Sequence, residues 1–328
     1  MKKGKIPEAV LVRSVLKQIH KRRPEVVVSP AVGQDCTAIA AGGEDVLVMS
    51  SDPITGTDSG IGRLSVIVTT NDIAAAGADP VGIMLTILLP EGTEESTLKT
   101  IMREAEEACE ALNVEIMGGH TEITDAVVRT VISVTGVGRT TRDKLFTLGS
   151  VKAGDQLVVT KAVGIESTAI LADVKGEELR RVFPAEVVAR AAAMADDLSV
   201  IPESRIAMQF PVTSMHDITE GGIFGALWEV GAGSDLGLQV DLKKIPIRQE
   251  TIEICEHFDI NPYMAMSSGS MLITTPEGDA LVEALQAAGI NAAVIGEMTE
   301  GNGRIITNGE DVRYLDKPQV DELYKALS

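Results

Sequence analysis

SVIVTTNDIAAAGADP, residues Ser65–Pro80, is the stretch around which the rest of the chain is organised. It sets one acid, Asp72, among apolar and small residues; Ala74, Ala75 and Ala76 favour helix, and the first breaker is Gly77. Its plain structural reading is a buried helix with Asp72 near the wet end. A carboxylate in such a segment is costly, however, unless it is paired or binds a cation. Three more acids stand alone where an apolar segment meets a turn: Asp52 in VLVMSSDP, Asp35 in AVGQDC and Asp217 in SMHDITEGG. The pattern predicts that the fold gathers the four into one magnesium–nucleotide site.

Working outward, 328 residues suffice for two domains with real cores. Aromatic residues are scarce, so the packing rests on Val, Ile, Leu, Ala and Met. The formal charge of −19 argues against a nucleic-acid or anionic-membrane surface. The same field repels ATP, so a nucleotide site needs cations and backbone donors close by. No apolar run reaches the roughly 18 residues of a membrane span. The charged N-terminus, MKKGKIPEAVLVRSVLKQIHKRRP, lacks the apolar core of a signal peptide. Cys36, Cys109 and Cys255 are odd in number and far apart, as expected of reduced thiols in a cytoplasmic protein without a zinc site.

In chain order, Pro7 opens a helix with Val10, Leu11, Val15 and Ile19 on one face, closed by Lys21, Arg22 and Arg23. Val26–Val28 and Val46–Met49 read as strands, and Gly42-Gly43 turns a hairpin between Ala38–Ala41 and Val46. Val81–Leu89 reads as a strand, followed by a helix capped by Thr93 with an apolar stripe from Leu98 to Leu112. Val114–Met117 is a strand running into Gly118-Gly119-His120-Thr121, and Val127–Val137 is another. Thr140–Ala153 has no clear period, which places a domain boundary near residue 150 and predicts domains 1–150 and 151–328. Beyond it come a strand at Gln156–Thr160, a helix after Gly164, a long helix from Pro184 to about Leu198 and a strand ending at Asp217. Strands and helices then alternate to Arg304–Thr307. The mixture predicts an α+β fold with helices on one face of each sheet.

Gly118-Gly119-His120-Thr121 allows backbone N–H groups to approach a phosphate, although a plain turn is the simpler reading of paired glycines. HDITEGG carries more: a strand delivers Asp217, Thr219 can cap the next helix, and Gly221 and Gly222 leave its N-terminus open to an anion. Magnesium takes one or two carboxylates together with phosphates and waters, so four acids can hold more than one ion along a triphosphate. His120 and His216 flank these segments without a nucleophile beside them, and a structural role is the simpler reading. Cys36 and Trp228 read as buried packing residues. No GxxxxGK[ST] is present, which excludes the usual P-loop. No catalytic residue is identified.

VGQDC, SSDP, TTNDIAAAGADP, GGHTE and HDITEGG occur in the order found in the aminoimidazole ribonucleotide synthetase (PurM-like) superfamily, which the chain resembles over nearly its whole length. SSDPITG, NDIAAAGADP, GIESTAILA and TEGGIFGALWEV resemble its HypE-like hydrogenase expression/formation members. The resemblance implies an N-terminal ATP- and magnesium-binding domain whose strands join a partner's in a barrel across a homodimer. An α+β C-terminal domain would close the nucleotide cleft. It makes Asp35, Asp52, Asp72 and Asp217 metal ligands and puts Gly118, Gly119, His120, Thr121, Thr219, Gly221 and Gly222 at the nucleotide. Gln34 stands where relatives commonly carry a second acid. HypE proteins end in a tail whose terminal Cys receives a carbamoyl group and is dehydrated to a thiocyanate, whereas this chain ends VDELYKALS.

The implied function is ATP- and magnesium-dependent activation of an unknown acceptor through the γ-phosphoryl group, in the setting of hydrogenase maturation with a maturation partner. The rivals are a small-metabolite kinase or ligase, and a catalytically reduced nucleotide-binding partner in a maturation complex.

Overall fold

The computed structural model describes residues 6–55, 60–317 and 320–327. The lysines of the first five positions and Gly56 of SSDPITG lie outside the described residues. The chain divides into two compact units. One comprises Lys21–Ser29 and Asp35–Leu145; the other comprises the described parts of Met1–His20 and Phe146–Ser328, with Pro30–Gln34. The first described segment thus groups with the C-terminal half, where the sequence reading had placed it with the N-terminal half.

The segment begins with α1 (Glu8–Ser14), which buries none of its residues. It stops well short of Lys21–Arg23, contrary to expectation, because a short helix without a packed face has little to prolong it. Glu8 anchors it within its own unit by accepting from Trp228 Nε1 at 3.0 Å and pairing with Lys317 at 3.2 Å. The Arg304 guanidinium stacks over Trp228, 4.4 Å from the ring centre. Trp228 is therefore a half-buried anchor at the margin of the core.

The N-terminal unit contains β1 (Val26–Val28), β2 (Thr37–Gly42), β3 (Asp45–Ile54), α2 (Ile61–Ala75), β4 (Asp79–Leu89), α3 (Glu95–Leu112), β5 (Glu115–Ile123) and β6 (Val131–Thr141). Its strands form one sheet in the order β1-β2-β3-β6-β4-β5, antiparallel except for the β4–β5 pair. The hairpin turning at Gly42-Gly43 is present. Period-two alternation sends Ile83, Leu85, Ile87 and Leu89 of β4 to one face, where they pack with Val66 of α2 and Ile101, Ala105 and Cys109 of α3. Helix α2 is apolar around most of its circumference and is buried accordingly. Thr93 does not cap α3: Glu94 is the N-cap, and the Thr93 hydroxyl donates to the Pro90 carbonyl at 2.7 Å.

The C-terminal unit continues with β7 (Gln156–Thr160), α4 (Ile165–Val174), α5 (Gly176–Leu179), α6 (Ala185–Ala193), α7 (Ile201–Ala207), β8 (Ser214–Asp217) and α8 (Gly222–Gly233). Then come β9 (Gly237–Asp241), α9 (Gln249–His257), β10 (Met271–Thr275), α10 (Gly278–Ala287), β11 (Ala292–Thr299), β12 (Arg304–Asn308), β13 (Asp311–Tyr314) and α11 (Leu323–Ala326). The sheet order is β13-β12-β9-β11-β7-β10-β8. Leu157, Val159, Leu272 and Ile295 of this sheet pack with Ile223, Leu227 and Val230 of α8. A second cluster joins Leu171, Leu179, Val188, Ile254 and Leu323. The expected long helix after Pro184 ends at Ala193 and continues as a 3₁₀ turn, Met194–Asp197. Asp196 and Asp197 are poor residues for a helix C-terminus, where the dipole disfavours negative charge. Among the described residues no helix is long and apolar enough to cross a membrane.

Candidate functional site

In β3, alternation puts Val46, Val48 and Ser50 on the buried side, with Asp52 partly buried two residues further along the same face. Helix α2 lies against this strand and contributes Asp72, only 6% exposed. The Ser50 hydroxyl lies at their junction, in a very short contact with Asp72 Oδ2, 3.1 Å from Asp52 Oδ2 and 3.4 Å from the Asp35 carbonyl oxygen. The carboxylates of Asp52 and Asp72 thus meet at one serine, which Asp35 approaches with its main-chain carbonyl.

A serine hydroxyl has one proton to donate, yet three acceptor oxygens surround this one. Only one can receive it fully, so the serine proton is shared between the carboxylates of Asp52 and Asp72. All the donors are hard oxygens, the set magnesium prefers. The Asp52 and Asp72 carboxylates therefore fit a magnesium ion on their chemistry. Ser50 carries no motif of its own in VLVMSSDP; its one signal in the sequence is its place two residues before Asp52, on the same strand face.

Gly118-Gly119-His120-Thr121 is not a turn. The four residues continue β5, paired in parallel with Met84 to Ile87 of β4. A Cβ on Gly119 would stand 1.9 Å from the Leu85 carbonyl oxygen, so the close strand approach alone demands glycine there. The side chains of this edge strand are largely exposed, and His120 Nε2 lies 2.9 Å from Glu122 Oε2.

In the C-terminal unit β8 delivers His216 and Asp217, both buried, with Asp217 opposite Met271 of β10. His216 Nε2 lies 2.9 Å from Glu229 Oε2 on α8, the structural partner the simpler reading required. The next turn departs from expectation. Thr219 does not cap α8; the N-cap is Gly221, at φ +91°, followed by Gly222 at φ +61°. A side chain on Gly222 would also meet the carbonyls of Tyr263 and Ala265, each 2.7 Å from its Cβ. The turn is also tied from a distance: Gly221 N–H donates to Asp321 Oδ2 at 2.6 Å. The sequence offered no local sign of this contact, because the carboxylate arrives from the far end of the chain.

A buried acid not singled out in the sequence lies nearby. Glu166, in the first turn of α4 and 2% exposed, accepts Ser268 N–H at 3.0 Å. Burial pushes its carboxyl above the usual range, the Ser268 hydrogen bond opposes that, and the charges of Asp321 and Glu220 add to it. Asp321 is pushed up to about 6, chiefly by burial, although three backbone N–H groups favour its charged form.

Residues 33–140 match the family described as AIR synthase related protein, N-terminal domain, and residues 152–308 match AIR synthase related protein, C-terminal domain. A Methanocaldococcus jannaschii protein assigned to hydrogenase expression and formation is 30% identical over 80% of this chain and 78% of its own. The carbamoyl dehydratase HypE of Rhodobacter capsulatus is 28% identical over 72% of this chain and 69% of its own. A thiamine-monophosphate kinase of Pyrococcus horikoshii is also 28% identical, over 83% and 82%. Among solved structures, a HypE–HypF complex superposes with TM-score 0.73 and 21% identity, covering 86% of this chain and 93% of that one. HypE in complex with ATP gives TM-score 0.72 and 19% identity, covering 98% and 97%. These likenesses establish the two-domain PurM-like fold, of mixed sheets and helices.

Proposed function

The chain belongs to the AIR synthase related, PurM-like superfamily and is HypE-like, and from that premise we propose that it binds ATP with magnesium and activates an acceptor through the γ-phosphoryl group. The observation that carries this reading is the Ser50 hydroxyl between the carboxylates of Asp52 and Asp72. Asp52 and Asp72 are the proposed magnesium ligands that meet at Ser50, and Asp35 and Asp217 carry the same assignment from their sequence motifs alone. When bound, the metal offsets the charge of both the carboxylates and the triphosphate. The protein's part is to hold the carboxylates in place before the nucleotide arrives. Ser50 does this by tying β3 to α2, so that little reorganisation remains. Gly118 to Thr121, Thr219, Gly221 and Gly222 remain proposed nucleotide contacts.

The acceptor is proposed to lie outside this chain's own cysteines. Cys36, Cys109 and Cys255 are all buried, and burial pushes Cys255 up to about 12 and Cys109 to about 11. A maturation partner that brings the acceptor group accords with the HypE–HypF complex among the structural neighbours. A homodimer is proposed as well: Leu47, Val81, Met84 and Met117 leave an apolar, exposed side on a sheet whose last strand, β5, pairs only with β4 among the described residues. The buried thiols also support a second reading, a kinase acting on a small metabolite, as in the thiamine-monophosphate kinase relative.

The deciding experiment is ADP formation from ATP with and without magnesium, with Asp52→Asn as control. Magnesium-dependent turnover lost in the variant supports the reading and justifies an acceptor screen. Turnover only with a maturation partner favours the first acceptor class; stimulation by one metabolite favours the kinase. Failure of the wild-type protein to bind ATP at all removes the nucleotide assignment.

A further inference from the structure

The segment Val320–Leu327 is built into the C-terminal unit where it bears directly on the HDITEGG turn. Leu323 and Ala326 of α11 are buried in the helical cluster with Leu171, Leu179 and Ile254. Asp321 is 1% exposed, and both of its oxygens accept hydrogen bonds. Oδ2 accepts Gly221 N–H at 2.6 Å, while Oδ1 accepts Met266 N–H at 3.2 Å and Leu323 N–H at 2.8 Å. One carboxylate therefore joins three backbone segments distant in sequence. Met266 is followed by Ser267 and Ser268, which bond to Gly164 and Glu166, so the junction extends to the start of α4.

The turn needs such a restraint. Pairing with β10 fixes the backbone as far as Asp217, and Ile218 N–H still reaches the Ser270 carbonyl at 2.9 Å. Gly221 and Gly222 then take positive φ, where glycine has the widest freedom and no side chain of its own to hold the turn. A charge-assisted bond from a buried carboxylate, at the positive end of the α8 dipole, supplies what the local sequence lacks.

We propose that Asp321 is a positioning residue: by gripping Gly221 and Met266 at once, it fixes the HDITEGG turn after Asp217 in the geometry that nucleotide binding requires. The inference rests on the nucleotide reading above and adds to it a residue that acts only through the turn. The groups facing Asp321 are Glu220 from the turn itself, Glu166 from α4 and Tyr324 from α11. With its carboxyl pushed up to about 6, ionisation of Asp321 falls in a range open to experiment.

The test uses the full chain labelled with [¹⁵N]glycine. The Gly221 amide is followed from about pH 5 to about pH 7.5, and magnesium-ATP is titrated into the wild type, Asp321→Asn and Leu323→Ala. The wild-type Gly221 resonance is expected to move with Asp321 ionisation and to become indifferent to pH in Asp321→Asn. Magnesium-ATP affinity should fall about tenfold or more in Asp321→Asn, as for loss of a hydrogen bond to a charged group. Leu323→Ala, which loosens the same segment through packing alone, should lower Tm without that loss. Full affinity in Asp321→Asn, or an equal loss in both variants, overturns the proposal. If Asp321→Asn does not fold, Asp321→Glu keeps the charge but alters its reach: weakened binding with a still-titrating Gly221 amide supports the proposal, and unchanged binding overturns it. A wild type that does not bind magnesium-ATP removes the nucleotide reading instead. The grip is then judged on Gly221 alone, and a resonance indifferent to both pH and Asp321→Asn overturns it.

Discussion

Lys161 Nζ lies 2.6 Å from Glu203 Oε1, and the Glu203 side chain is wholly buried. The same ammonium donates to the main-chain carbonyls of Asp197, Ser199 and Gly269 at 2.9, 2.6 and 3.0 Å. Burial raises the Glu203 carboxyl above its usual range while Lys161 pulls it back. Removing one partner leaves the other charge buried, a change that costs about 3–5 kcal/mol. Glu203→Ala and Lys161→Met should each lose that much stability in urea unfolding. A loss under about 1 kcal/mol in either, the range of exposed pairs, contradicts the role assigned here.

The acids around Ser50 lead to a prediction about metal. If their crowding is relieved by magnesium, the ion alone should raise the thermal midpoint, because a ligand that binds only the folded state stabilises it by mass action. Asp72→Asn removes charge without volume, so it should fold normally, lose the magnesium-induced rise and bind magnesium-ATP much more weakly. Unchanged nucleotide binding with only a lower midpoint would make Asp72 a structural helix residue.

Asp321 also makes a prediction about stability and pH. Its carboxyl is pushed from 3.8 up to about 6, so the folded state holds this proton more tightly than the unfolded chain. The resulting stability is full below about pH 4 and is lost as pH rises through about 6, a difference on the order of 3 kcal/mol. Glu166 shifts in the same direction and its contribution has the same sign. Subtracting the unfolding free energies of Asp321→Asn from those of the wild type, point by point in pH, should isolate a difference that declines across that window. A difference that grows with pH there refutes the assignment.

Thiol chemistry provides the fourth test. Cys36, Cys109 and Cys255 are buried, and the last two are held well above the ordinary thiol range. The native protein should resist a thiol reagent near neutral pH, and all three residues should react once it is unfolded. Rapid labelling of any one in the native state would restore it as a possible acceptor.

Much of this was legible in the chain. Apolar periodicity placed α2, β4 and α3, and the Gly42-Gly43 pair placed its hairpin, because these features depend on residues a few positions apart. The ordered segments from VGQDC to HDITEGG named the superfamily. Local reading failed where a residue's role depended on a distant partner. Gly118-Gly119 read as a turn because paired glycines usually make one; in the structure the Leu85 carbonyl crowds Gly119 and the segment continues as strand. Thr219 read as a helix cap because its type and position suit one, whereas the acceptor at that helix end is Asp321.

The sequence by itself therefore determined most element types, the two-domain α+β architecture and the acids worth watching, since propensity and alternation are properties of neighbours. Only the tertiary structure decided that Ser50 sits between the carboxylates of Asp52 and Asp72, that Lys161 holds Glu203, and that Asp321 closes on Gly221 from 100 residues away. Each of these is a buried polar contact, and the energy of such a contact resides in a partner that desolvation makes obligatory and that nothing near it in the chain identifies.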